Sequence, residues 1–396
     1  MSGSRRTAII IGCGIGGPIA AIALRRAGYE PVVYEAYTGG ATHVGSFLNV
    51  ASNGLDALRT LGIAAPVVAA GFATPTMIMW SGTGKRLGQV ANGETLPDGT
   101  TSVTIKRGLL HRALRDELVR LGIRIEEGKR FVTAEAGSDG VHARFADGND
   151  VRGDVLVGAD GVHSRVRQLL DANAPSPRYT GQLSIGGIAR IRPPAAPGSY
   201  HMIFGKRGFF GYAVAPSDEV YWFANIAWTD PSREALALAP AQWQAHLREL
   251  FADDVGPACD LIAATDSGIG AFPIFVLPKV PVWHRERIVL LGDAIHATSP
   301  SAGQGASLAI EDALVLAKHL RDAPDLPAAF AGYEAARRAR VERVVRYANR
   351  IGNSKIAGPV GRWFRDRLMP LALKLFASSS SHGWLYRHHI DWERAA

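Results

Sequence analysis

The sequence predicts a mixed α/β fold: a sheet-and-helix layer of Rossmann-like strand–turn–helix units, a second β-sheet inserted into it, and helices at the C-terminal end. Three observations predict it. Residues 7–35 run as apolar strand, glycine turn, apolar helix and strand. Residues 181–275 are rich in aromatic and β-branched residues bounded by Gly, Pro, Ser and Asp. The chain beyond residue 345 is basic and amphipathic. Its 396 residues suit two closely packed domains, and 47% hydrophobic with 20% charged residues is the balance of an ordinary globular protein.

In TAIIIGCGIGGPIAAIALRRAGYEPVVYEA the pattern gives a strand at 7–11, a helix over about 15–27 and a strand at 31–35. The glycines stand as Gly12-x-Gly14-x-x-Gly17, with Gly16 extra and Ile15 between them. Gly12 permits the tight turn, Gly14 lets a pyrophosphate approach the backbone, and Gly17 lets helix and strand pack closely. The free N–H groups of the helix start then face the phosphates. Glu35 ends the second strand, where an acid binds a ribose 2′-OH and disfavours a 2′-phosphate. The site therefore suits FAD or NAD rather than NADP, and the motif alone leaves those two open. The apolar run 7–24 is broken by the glycine turn and no small-residue cleavage pattern follows, which argues against a membrane span or signal peptide.

Residues 74–100 have the texture of a hairpin with glycine turns. VLVGADGVHSRVRQLL, residues 155–170, is an apolar strand ending in Asp160-Gly161, followed by a basic helix start with Ser164, Arg165 and Arg167. Alone, that stretch is equally an ordinary strand–turn–helix with Asp-Gly as turn chemistry. In YWFANIAW, residues 221–228, both faces are largely apolar, as in a sheet with a pocket on one side and helices on the other. Met202, Phe204, Phe210, Tyr212, Trp222 and Phe272 are candidate pocket walls; ordinary sheet core is an equal reading of any one of them. Arg190 could pair with a substrate carboxylate or enolate, although a surface arginine is the more ordinary reading.

RIVLLGDAIHATSPSAGQGASLAIEDA begins with a strand whose end carries Asp293, a short acid able to accept hydrogen bonds from a sugar-alcohol chain. Pro300 stiffens the loop; Gly303 and Gly305, with Ala306, allow backbone close to a flat ring. Leu308, Ile310, Ala313, Leu314, Ala317 and Leu320 recur at helical spacing. The start of that helix carries a partial positive charge, which would stabilise the negative charge of a reduced flavin.

Together these motifs resemble the FAD-dependent group A aromatic monooxygenases of the para-hydroxybenzoate hydroxylase fold: GxGxxG early, a DG motif mid-chain and a GD motif late. The resemblance spans roughly residues 7–350 and is weakest around 180–275. Within the family, SPSAGQGASLAIEDA is similar to salicylate-hydroxylase-like and tetracycline-inactivating members. The resemblance implies a split FAD-binding domain (1–73, 101–180, 276–345), a substrate-binding β-sheet domain (74–100, 181–275) and a helical tail (346–396). It implies that Gly12, Gly14, Ile15, Gly16 and Gly17 hold the pyrophosphate and Glu35 the ribose. Arg107 and Asp160 would contact FAD, Asp293 the ribityl chain, and Pro300, Gly303, Gly305 and Ala306 the flavin ring. NADPH or NADH would bind transiently, without a second GxGxxG, and O2 would be co-substrate.

The implied activity is NAD(P)H- and O2-dependent hydroxylation of an aromatic or polyketide-like small molecule through a flavin C4a-hydroperoxide. Little is required of side chains; Pro300, His43 and Tyr212 are the candidates for a catalytic part, and His296 lies in the GD loop and suits fixing that loop. Alternatives on the same architecture are epoxidation, oxygen insertion or reduction; an alternative of another class is a non-catalytic flavin-binding protein. Two cysteines, Cys13 and Cys259, suit a reducing cytoplasm, and neither belongs to a metal-ligand cluster. The net charge of +8 is spread over scattered arginines without zinc-finger or aromatic–basic patterning, so nucleic acid is not an expected partner. The expected state is a monomer or homodimer. The tail, with Trp363, Phe364, Leu368, Leu373 and Phe376, is expected to be a helix packed on the domains rather than inserted in a membrane.

Overall fold

In the computed structural model, residues 6–39, 47–191, 193–265, 268–355, 358–376 and 382–396 are described. The first sheet has six strands, in spatial order His284–Arg285, Ile288–Leu290, Val155–Gly158, Thr7–Ile11, Glu30–Tyr34 and Arg124–Glu126. All pair in parallel except the His284–Arg285 edge. The central strands are buried along almost their whole length, as strands covered on both faces must be. The helix Gly16–Arg26 follows the first strand, and the helix Gly305–Asp322 lies against it. Their close approach is set by small residues: a Cβ on Gly16 would lie 2.8 Å from Leu291 Cδ1 and 3.7 Å from Ala309 Cβ.

The second sheet has seven strands, in order Gly270–Val276, Arg178–Ala189, Val220–Ala227, Phe209–Val214, Ser199–Phe204, Thr76–Ser81 and Arg86–Ala91. Thus the 76–91 hairpin joins the same sheet as the later strands, through a parallel pairing of Thr76–Ser81 with Ser199–Phe204. The helices Pro240–Phe251 and Ala258–Ala263 cover one face of it. A three-stranded sheet, Phe47–Val50, Val103–Lys106 and Phe72–Ala73, meets the opposite face through Phe47 and Phe72.

The long helix Leu326–Ser354 runs back alongside Gly305–Asp322. The tail helix Pro359–Phe376 contains Pro370 and packs on the edge strand Arg86–Ala91, where Leu373 fills the space beside Gly88. Its apolar residues are not all packed, however: Trp363, Phe364 and Leu368 are exposed, and the inward contacts are made by Arg362 and Arg365 to the Lys206 and Phe204 carbonyls. The side chain of Phe376 lies outside the described residues. Among the described residues, no helix is long and apolar enough to cross a membrane, and no cluster of metal-ligating side chains occurs.

Candidate active site

The three motifs meet at the C-terminal ends of three adjacent parallel strands, Ile288–Leu290, Val155–Gly158 and Thr7–Ile11. In open α/β sheets that edge is where ligands bind. Gly12 leaves the first strand with φ +103°, and a Cβ there would lie 2.5 Å from the Ala159 carbonyl oxygen. A Cβ on Gly17 would run into the Gly12 carbonyl. By contrast, Gly14 and Gly305 face open space, with nothing within 4 Å of a Cβ. Two glycines are thus required by packing, and two line an open backbone cradle. A backbone cradle of this kind fits a pyrophosphate and a flat ring.

Around the turn, Cys13 N–H donates to Glu35 Oε2 at 2.8 Å and Tyr37 N–H donates to Glu35 Oε1 at 3.0 Å, so the half-buried carboxylate is held beside the turn. Ile15 precedes the first helix as its N-cap residue. The His111 imidazole donates from Nε2 to the Cys13 carbonyl at 2.7 Å; burial lowers its pKa and keeps it neutral. Arg107 opens the same helix, Arg107–Arg120, one turn earlier, and its side chain is exposed. The Asp160 carboxylate is occupied locally: Ser164 Oγ donates at 2.5 Å, Arg165 N–H at 2.7 Å and Val166 N–H at 3.1 Å. This is the turn chemistry that the Asp-Gly pair permits, and it starts the helix Arg165–Leu170.

Asp293 is exposed at the start of a short helix, Asp293–His296, after Gly292 in the left-handed region (φ +61°). Pro300 begins a 3-10 turn that ends at Gly303, also left-handed, and Gly305–Asp322 follows. This loop is anchored by a buried ionic cluster that the sequence reading did not identify. Arg337 bridges Glu311 (2.7 Å) and Asp312 (2.8 Å); all three are fully buried. Arg340 pairs with Glu311 at 2.7 Å, Asn53 Nδ2 donates to Glu311 Oε1 at 2.7 Å, and Gly292 N–H donates to Asp312 at 3.1 Å. Burial would raise both carboxyls. The arginines on Glu311, and His296 with Arg337 on Asp312, outweigh it and hold both at about 2. Burial disfavours imidazolium at His296, but Asp312 at 2.6 Å outweighs that and raises its pKa. His296 is therefore a brace of the GD loop, facing the cluster. The available signal was Glu311-Asp312 inside an otherwise apolar helix.

The seven-stranded sheet separates the candidate pocket residues. Directly paired residues point to the same side, so Tyr200, Met202, Phe204, Phe209, Tyr221, Phe223, Asn225 and Phe272 share one face. Phe210, Tyr212 and Trp222 share the other, against Trp243, Leu247 and Phe251. Their assignment as pocket walls is corrected: the strands alternate with a period of two, and these three are in the wrong phase. Tyr212 also stacks on His201 at 4.6 Å, and burial pushes its hydroxyl up to about 12, so it is no base for the reaction. Arg190 is exposed beyond the end of Arg178–Ala189. His43 lies outside the described residues.

The face carrying Met202, Phe204 and Phe272 is the one turned toward the flavin-loop side. Phe47 packs on Tyr221 (5.5 Å) and Phe223 (6.1 Å), and Asn49, on the same strand, lies 3.8 Å from where a Cβ of Gly303 would be. Gly352, near the end of the long helix, approaches Ser299 and Ser301 at 2.7 and 3.2 Å by the same measure. That helix end brings in Lys355, which the sequence reading passed over.

A family model described as an FAD binding domain matches residues 5–348. The chain is 33% identical to the Aurachin C monooxygenase/isomerase of Stigmatella aurantiaca, over 92% of this chain and 93% of that protein. It is 33% identical to the FAD-dependent urate hydroxylase of Klebsiella pneumoniae, over 85% and 87%. The crystal structure of Klebsiella pneumoniae HpxO complexed with FAD and uric acid superimposes with a TM-score of 0.85 at 28% identity, covering 96% and 97%. The chain belongs to this FAD-binding family and is an FAD-dependent monooxygenase, an oxidoreductase.

Proposed function

We propose, from the premise of an FAD-dependent monooxygenase, that this chain hydroxylates an electron-rich aromatic small molecule held between the Pro300–Gly305 loop and the Phe209–Phe223 face of the seven-stranded sheet. The observation that carries the reading is the meeting of the glycine turn, the Asp160 turn and the Asp293 loop at one sheet edge, with open space at Gly14 and Gly305. The relatives named for urate and for aurachin C support an aromatic substrate.

In this reading the Gly12–Gly17 turn and the start of its helix hold the pyrophosphate, and Glu35 the ribose. Arg107, Asp160 and Asp293 border the chain of the cofactor. Pro300, Gly303, Gly305 and Ala306 border its ring. Bound FAD, reduced by NAD(P)H, supplies the oxygen-activating chemistry. The protein's own part is to orient, to exclude water and to place a favourable field. The N-terminus of Gly305–Asp322 directs free N–H groups at the ring site. Phe47, Phe209, Phe223 and Met202 present an apolar wall that fixes a flat substrate and keeps bulk water out. The buried Glu311–Arg337–Asp312–His296 cluster keeps the loop in one conformation. The split domain organisation expected from the sequence and a cytoplasmic monomer or homodimer belong to the same reading.

The test is a visible spectrum of the purified protein, followed by NADH and NADPH oxidation with O2 uptake across phenols and heteroaromatic acids. Yellow protein with substrate-stimulated O2 uptake and a hydroxylated product is the expected result. Colourless folded protein that refuses added FAD overturns the reading. Gly14→Val adds side chain to the cradle; it should fold normally and lose FAD affinity by at least about tenfold, some 1.4 kcal/mol, in a flavin fluorescence titration.

A further inference from the structure

Lys355 follows the last turn of the long helix Leu326–Ser354 and is 6% exposed. A lysine at the polar end of a helix is ordinarily solvated; this one points onto the sheet. Its Nζ lies 4.2 Å from the centroid of the Phe209 ring and 5.6 Å from that of Phe223. It donates to Asn225 Oδ1 at a long 3.5 Å. Asn225 is itself 2% exposed, and its Nδ2 has no hydrogen-bond partner. Among the described residues no carboxylate pairs with the Lys355 ammonium. Three features of the geometry therefore agree: Asn225 Nδ2 lacks an acceptor while the adjacent Lys355 ammonium has only its long bond to Asn225 Oδ1, both stand on the sheet face that meets Phe47, and the helix carrying Lys355 rests on Ser299 and Ser301 beside Pro300.

A buried, unpaired ammonium is costly, and ring faces offset only part of that cost. Burial correspondingly pulls the Lys355 pKa down to about 7. Natural buried polar groups find partners, and an amide and an ammonium side by side match the two oxygens of one anion.

We propose that Lys355 and Asn225 form an anion-recognising end of the substrate site, so that the enzyme selects an aromatic ring bearing an oxyanion, either a carboxylate or an ionised ring oxygen. This rests on the reading that the Phe209–Phe223 face borders the substrate. Lys355 Nζ donates to the oxyanion, Asn225 Nδ2 donates to it as well, and the phenylalanine rings bound the apolar body of the ligand. Lys355 is a specificity-determining residue here; it carries no redox step and takes no part in oxygen activation.

The test uses the FAD-loaded protein and follows flavin absorption as benzoate or its neutral counterpart benzamide is added. The wild type should bind benzoate at least about tenfold more tightly, the scale of one charge-assisted hydrogen bond. Lys355→Met should abolish that preference while keeping the flavin spectrum, and Lys355→Arg should retain it. Removing an unpaired buried charge should also raise the melting temperature of the ligand-free protein in Lys355→Met. Equal affinities for the two ligands in the wild type, binding of neither, or a preference that survives Lys355→Met overturns the proposal. The first two outcomes need no variant to fold. Yellow colour and NAD(P)H oxidation in the same preparations separate failure of this proposal from failure of the monooxygenase reading.

Discussion

On the helix-covered face of the seven-stranded sheet, Phe210 stacks on Trp222 at 5.6 Å and both meet the Pro240–Phe251 and Ala258–Ala263 helices. One residue along the same strands, Phe209 and Phe223 face the other way, toward Phe47 and Lys355. Both faces are apolar, yet they treat polar atoms differently. On the covered face Trp222 Nε1 donates to Thr265 Oγ1 at 2.9 Å, and Trp80 Nε1 donates to His201 at 3.0 Å. On the open face Asn225 Nδ2 lies buried without a partner, and the Lys355 ammonium has only a long bond to Asn225 Oδ1 and, among the described residues, no carboxylate. Apolar content does not separate the two faces, and neither does a single unsatisfied atom, since Trp228 Nε1 beside Trp243 is also buried without a partner. What differs is a buried cation without a carboxylate among the described residues, a cost that a bound anion would relieve.

The largest expected effect is on the covered face. Trp222→Ala should destabilise by about 3–5 kcal/mol, the usual cost of emptying a large aromatic site. Urea denaturation reads it, and the substrate KM of the folded fraction should not move. A changed KM would show that Trp222 borders the pocket after all.

Arg337→Met and Lys355→Met should move stability in opposite directions. Arg337 neutralises two buried carboxylates, so its loss should cost about 3–5 kcal/mol. Lys355 neutralises none among the described residues, so its loss should stabilise. Equal signs in thermal melts would erase the contrast between paired and unpaired buried cations.

Phe223→Ala should cost less stability than Trp222→Ala, because Phe223 is only partly buried. It should instead raise the KM for an aromatic substrate by roughly tenfold, some 1.4 kcal/mol of binding. Steady-state kinetics and denaturation on one preparation check both halves.

The smallest effects are in pH dependence. His201, on the covered face, is held at about 4 by burial, against 6.5 when free. The unfolded chain therefore binds the extra proton between about 4 and 6.5, and stability should rise with pH across that window. Lys355 is depressed from 10.5 to about 7, so its contribution rises between those values and falls away as pH drops toward 7. His201→Phe should flatten the acid window and Lys355→Met the alkaline one, each leaving the other in place in pH-dependent melts.

The flavin half was legible from local pattern. The expected strand, helix and strand over 7–35 are found at Thr7–Ile11, Gly16–Arg26 and Glu30–Tyr34, and the helix expected after Pro300 is Gly305–Asp322. The sheet side was less legible. YWFANIAW reads as a strand buried on both faces, but each alternate set is apolar, so pattern alone does not separate Phe210, Tyr212 and Trp222, which face the covering helices, from Met202, Phe204 and Phe272, which face the other way. Glu311, Asp312, Arg337 and Arg340 look like ordinary helix charges until two helices bring them together.

By itself the sequence determined the glycine turn, the order of the three motifs and the existence of a second sheet. These depend on backbone conformations and periodicities that neighbouring residues impose on one another. The tertiary structure alone decided which side of each strand faces the flavin loop, and that Lys355 leaves solvent to lie against Phe209. A period of two says that side chains alternate without saying toward what. The surroundings of a helix-end lysine are set by strands more than a hundred residues away.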